Sequence, residues 1–416
     1  MKTILMAATG LAAMAVGAGA PVVKQSSVTM TQDEGSRRVT IGYTLEEEPA
    51  IVTVDIQTNG VSIGGRNLWY FAGDVNKRVD VGPHTMTWRP DKAWPGHKLT
   101  SGVTAVVTAW ATNTPPDVMV VSLVAERTRL FYPSLEAVPG GVNTDLYKTE
   151  MMAFRKCPAG NVTWRMGSPT DEHGRVSSDE KAHVVTLNDD FYIGVFPVTQ
   201  RQWQLVTGNT PSTYKGFAAD CATRPVESVS YYQFRGANWP DEPVNPGTFV
   251  GKLRPFTGLE TLDLPLEAQW EFACRAGCGA TLYDGSDPTA DVSDELARLA
   301  RYASNGGRQP GGAIPPADCT AEYATAKVGT YAPNAWGIYD MLGNVFELCL
   351  DKWASDRTGC DPNVGPTGGD NTRVMRGGSY ENSLQWCRCA FRKSTGPSEQ
   401  QKYQGGRLAC SVVIPD

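Results

Sequence analysis

From about Ser27 to Pro133 apolar and polar residues alternate in short runs: RRVTIGYTL, AIVTVDIQT, KRVDV, HTMTWRP, GVTAVVTAW and VMVVSLVAE. A period of two places every second side chain on one face of a strand. Val, Thr and Ile suit such a half-buried, pleated surface. Gly, Pro, Asn and Asp punctuate the runs, so the pattern predicts an all-β sandwich over residues 27–133. No set of catalytic side chains falls within it, which leaves a spacer or docking role. YPSLEAVPGGVNTD then reads as a connecting segment, and the linker is placed at 134–150.

The period changes from about Met151. VTQRQWQLVTGN carries helix signals at both ends. Thr199 caps, Gln202 three residues on returns the bond, Val198 and Trp203 staple the entry, and Gly208 fits the exit. LPLEAQWEFACRAG predicts a second helix. Pro265 suits its first turn, Leu266, Trp270 and Ala273 or Cys274 share a face, and Gly277 ends it. After Gly279 comes a long Gly-, Pro- and Asn-rich stretch with few helix signals. A compact domain tolerates such a stretch when ions or disulfides tie it down.

At 416 residues the chain has room for two domains, and 41% hydrophobic with 20% charged residues is ordinary globular composition. The net charge of -6 and the absence of Lys/Arg runs argue against a nucleic-acid surface. At the N-terminus, Lys2 precedes an apolar run to Val16 and then small residues. This predicts an export signal over 1–20, cut after Ala18 or Ala20. The run is too short to span a bilayer, and no later segment is long enough. Export in turn favours disulfides over thiolate metal sites for the ten cysteines. The four histidines form no cluster, so a histidine-built iron or zinc centre is not expected.

A series of motifs then runs in order through residues 151–416: CPAGNVTWRMGSP, HVVTLNDDFYIGVFPVTQRQW, RPVESVSYY, LDLPLEAQWEFACRAG, VGTYAPNAWGIYDMLGNVFELCLDKW, RVMRGGSY, CRCAFR and GGRL. This series resembles the formylglycine-generating enzyme, or sulfatase-modifying factor, superfamily. The resemblance implies an α+β C-type-lectin-like domain, here preceded by an all-β sandwich that we read as immunoglobulin-like. In the family's aerobic oxidases two cysteines after the GGS[YW] motif bind copper(I), and one forms a mixed disulfide with substrate. Soft copper(I) prefers thiolates. Here Asn382 stands at the first cysteine position, and the segment before RCAFR is shortened where the second belongs. The resemblance therefore points away from copper and oxidase activity. It also implies disulfides Cys274–Cys389 and Cys349–Cys387. The family's iron-dependent sulfoxide synthases carry a histidine-rich helical domain, which this chain lacks.

The resemblance further implies a structural calcium loop in DMLGNVFE. Asp340 and Glu347 would supply carboxylates there, and Gly343 and Val345 backbone oxygens. The alternative for Glu347 is an ion pair with an arginine such as Arg376 or Arg392. In RGGSY and the segment after it, Ser379, Tyr380, Asn382, Trp386 and Arg392 are the candidate ligand-binding residues, with Trp336 and Trp386 suited to stacking on a sugar or peptide. Two functions compete. One is an exported, non-catalytic binding or adhesion protein with an unknown glycan, peptide or envelope-protein partner. The other is a sulfatase-activating oxidase or related redox enzyme.

Overall fold

The computed structural model describes residues 20–68, 70–97, 102–125, 128–214, 221–308, 323–366 and 371–412. The export signal lies outside the described residues, apart from Ala20. The described chain falls into two compact units, divided between Thr144 and Asp145.

The first unit is β-rich. Its strands are β1 (Val22–Val23), β2 (Thr29–Gln32), β3 (Val39–Glu46), β4 (Ala50–Thr58), β5 (Val61–Ser62), β6 (Phe71–Gly73), β7 (Lys77–Val79), β8 (Gly82–Trp88), β9 (Val103–Ala111), β10 (Val118–Ser122) and β11 (Arg129–Tyr132). One antiparallel sheet runs β1-β3-β8-β6, with β2 also on β3. A second joins β5, β7 and β9 to β4, and β10 and β11 form a hairpin. The alternation seen in the sequence is physical. Val39, Ile41, Tyr43 and Leu45 on β3 and Val103, Ala105 and Val107 on β9 are buried, and their neighbours face outward. One short helical turn, α1 (Pro90–Ala93), interrupts the strands.

The second unit opens with the single turn α2 (Leu146–Thr149), then β12 (Met151–Cys157), β13 (Val162–Met166), β14 (His183–Leu187) and β15 (Phe191–Gly194). Five helices follow: α3 (Gln200–Thr207), α4 (Tyr231–Phe234), α5 (Phe249–Thr257), α6 (Glu267–Arg275) and α7 (Asp294–Leu299). The last strands are β16 (Phe346–Lys352), β17 (Arg373–Arg376), β18 (Arg392–Thr395), β19 (Gln404–Gly405) and β20 (Ala409–Ser411). β15 pairs with β12 on one side and β20 on the other, and β13 pairs with β14. The order β18-β17-β16-β19 forms a second sheet, in which β19 runs parallel to β16. The unit is mostly short strands, few helices and long connections.

Helix α3 starts as its sequence requires. Thr199 accepts the Gln202 N–H, the Gln202 side chain accepts from the Thr199 N–H at 3.0 Å, and Gly208 closes the helix in the left-handed region. Helix α6 differs from its sequence pattern. Pro265 stays outside it, before Leu266, and the exit uses Ala276 as well as Gly277. Every α6 residue except Gln269 is buried, charged Glu267, Glu271 and Arg275 included. Trp270, Ala273 and Cys274 enter a core with Cys349, Val374, Cys387 and Cys389.

Candidate functional site

The loop from Asp340 to Glu347 is shaped by left-handed backbone at Asp340, Gly343 and Asn344. It joins three segments. The Gly343 N–H donates to Gly377 O (2.7 Å), the Asn344 N–H to Arg301 O (2.8 Å), and the Tyr380 N–H to Asn344 O (2.9 Å). The Asn344 side chain accepts from the Ala326 N–H at 3.0 Å. A Cβ at Gly343 would sit 2.2 Å from Arg301 O, so glycine is required by close approach as well as by its φ of +69°. Gly343→Ala should therefore cost on the order of 3 kcal/mol, since the atoms it would meet are the Arg301 backbone and the Ala300 Cβ, none of them the free end of a flexible side chain. Urea denaturation checks this, and a cost within experimental error would show that the junction yields.

Glu347 is fully buried and has an arginine partner, though not either of those expected. Arg407 forks onto it, Nε to Oε2 at 2.6 Å and Nη2 to Oε1 at 2.7 Å, and Trp270 Nε1 donates to Oε2 at 2.6 Å. A guanidinium therefore takes both Glu347 oxygens, the kind of arginine pairing that the sequence left open as the alternative to a calcium ligand. Asp340 is also buried. Its Oδ2 accepts from the Gly329 N–H at 2.6 Å, and burial pushes its carboxyl up to about 6. Among the described residues no group of three or more His, Cys, Asp or Glu side chains is arranged to hold a metal.

Glu347–Arg407 is one of several buried ion pairs. Glu267 takes Arg392 and Arg357, with Arg376 Nε at 3.5 Å, while Glu271 takes Arg275 and Arg376. Arg388 is held by Glu180 and Glu172, and Arg235 and Arg254 converge on Asp263. Charges of this kind are kept only when paired and hydrogen-bonded.

The candidate ligand residues separate. Ser379 and Tyr380 are fully buried. Ser379 Oγ donates to Asn382 Oδ1 at 2.5 Å, and the Tyr380 and Tyr214 hydroxyls are 2.9 Å apart. Asn382 is half-buried, and its carbonyl accepts from the Ala303 N–H at 2.9 Å. Trp386 and Arg392 do line a cavity of about 300 Å³, together with Trp353, which sequence reasoning missed. The Arg392 guanidinium is spent on Glu267, Asp179 O and Ser355 O, and it stacks 4.6 Å over Trp353. Trp336 instead packs against Phe272, with ring centroids 5.3 Å apart.

The Cys274 and Cys389 sulfurs face each other at 3.6 Å, and neither expected cysteine pair is bonded in the structure. All four thiols are fully buried. Burial pushes Cys387 up to about 12 and holds Cys274 and Cys349 well above the ordinary thiol value.

Residues 147–412 match the Sulfatase-modifying factor enzyme 1-like domain. The chain is 31% identical over 238 residues to chaperone protein LppX of Paenibacillus barcinonensis, covering 50% of this chain and 75% of that protein. It is 33% identical over 223 residues to the formylglycine-generating enzyme of Thermomonospora curvata, covering 51% of this chain and 64% of the relative. Among solved structures, Treponema denticola variable protein 1 superposes with a TM-score of 0.49 at 26% identity, over 63% of this chain and 95% of the other. With the matched region filling the second unit and carrying its ordered series of motifs, the chain belongs to the sulfatase-modifying factor enzyme 1-like family.

Proposed function

We propose that this protein is an exported, non-catalytic ligand-binding or adhesion protein. In this reading an immunoglobulin-like first unit presents a C-type-lectin-like second unit. The observation that carries the proposal is the state of the thiols. An aerobic oxidase of this family needs an available pair to hold copper(I) and to attack the substrate cysteine. Asn382 occupies the first of those positions and cannot serve as a thiolate. Cys387 and Cys389 are fully buried, and desolvation disfavours the Cys387 thiolate. These residues do not fit copper. A binding role also accords with the name of the Paenibacillus relative, a chaperone. Export rests on the N-terminal segment, and no helix among the described residues is long and apolar enough to cross a membrane.

The competing oxidase reading draws on the relatives named formylglycine-generating enzyme. A Cys-x-Pro-x-Arg peptide incubated with the protein, oxygen and copper should yield no aldehyde above a no-protein control. Native protein should leave Cys387 and Cys389 unlabelled by iodoacetamide. Turnover abolished by Cys387→Ser would restore the oxidase. Support for binding requires saturable capture of a glycan or envelope protein, weakened by Trp386→Ala without loss of fold.

A further inference from the structure

In the interior of the second unit, charged and polar side chains are tied to one another. The cavity beside β18 is different. Its walls are Trp353, Trp386 and Phe391, and both indoles are half-buried. Gln385, Lys393, Ser394 and Asp179 also line it. Among the described residues, no side-chain hydrogen bond or ion pair engages any of these four. We propose that this cavity is a binding subsite for a neutral hexopyranose, the terminal ring of a glycan. The proposal rests on the binding reading above and gives it a ligand class.

Three features select that ligand. First, a pyranose ring has an apolar C–H face that lies against an indole, and hydroxyls at its edge that each donate and accept. An amide, an ammonium, a hydroxyl and a carboxylate beside aromatic walls offer both functions. Second, the charges do not favour an acidic sugar. The fields of Glu381 and Glu399 act on Lys393, Glu267 neutralises Arg392, and Asp179 adds a carboxylate to the lining. Third, the walls are held in place by the protein itself. Arg392 lies 4.6 Å over Trp353, Lys393 lies 5.2 Å over Trp386, and Phe391 is 4.9 Å from Trp386 between ring centroids. Little ordering is then left for binding to supply. A volume of about 300 Å³ holds one hexose and part of its neighbour.

Isothermal titration of the full-length protein with methyl glucoside, methyl galactoside, methyl mannoside and N-acetylglucosamine tests the assignment. At least one should bind saturably with a roughly millimolar Kd. Trp353→Ala, Ser394→Ala and Gln385→Ala should each weaken that binding about tenfold. Trp353 also braces Arg392. Ser394→Ala and Gln385→Ala remove no internal bond, so they carry the test if Trp353→Ala fails to fold. Failure of every neutral sugar to bind overturns the proposal, as does binding unchanged in both polar variants or replaced by glucuronate. Peptide or protein capture that survives those variants would remove the sugar site and leave the binding reading standing.

Discussion

Glu267→Gln should remove ~3–5 kcal/mol of stability, the usual cost of leaving buried charges without their partner. The carboxylate is fully buried at the start of α6 and receives Arg392 Nη2 at 3.0 Å, Arg392 Nε, Arg357 Nη1 and, at 3.5 Å, Arg376 Nε. The neutral amide would leave Arg392 with only carbonyl partners and Arg357 with only Asp351. Chemical denaturation measures the loss, and a change below about 1 kcal/mol would mean that Asp351 and Glu271 suffice for the cluster. The pH profile gives a second check. Burial alone would raise the Glu267 pKa, but the fields of Arg392, Arg357 and Arg376 overcome it and hold the group well below the ordinary glutamate range. The stability it contributes is full above that range and is lost as pH falls toward the lowered value. Wild-type stability should therefore fall more steeply in acid than that of the variant.

The second large effect is expected at Glu347→Gln, again ~3–5 kcal/mol, because Arg407 would be left buried beside a neutral group. The loss should be the same size in calcium and in chelator. A cation that binds only the native state would make it depend on calcium concentration. Thermal unfolding of both proteins under both conditions separates the cases. A deficit present only with calcium would return Glu347 to the metal-ligand role. Arg407→Met should be destabilising by a comparable amount, since it strands the carboxylate instead.

Local signals were legible in the sequence because the chemistry behind them is local. The Thr199–Gln202 capping box and Gly208 were read from residues within one helix. β4 spans Ala50–Thr58, the limits of its apolar run, and β3 keeps its alternation. Helix α6 was legible as a helix but not in its orientation. The sequence placed only Leu266, Trp270 and Ala273 or Cys274 on the apolar face, yet Glu267 and Glu271 are buried too, because arginines from distant segments neutralise them. Glu267 and Arg392 are 125 positions apart, and no periodicity connects them. The same limit applies around the cavity. Trp353 and Trp336 flank one motif and look equivalent, but one lines the cavity and the other packs on Phe272. Ser379 and Tyr380 carried the polar groups expected of a site floor, but the fold spends those groups internally.

The arginines at 376, 388, 392 and 407 come late in the chain, and each neutralises a glutamate made earlier: Glu271, Glu180, Glu267 and Glu347. β20, at residues 409–411, then pairs with β15, at residues 191–194. A nascent chain whose residues 376–411 are still in the ribosomal exit tunnel therefore lacks these four counterions and the last strand of a sheet. It has no complete core on which to close. The second unit cannot be complete until the segment through Ser411 is available to pair, so its closure is set by residues far along the chain from those that open it.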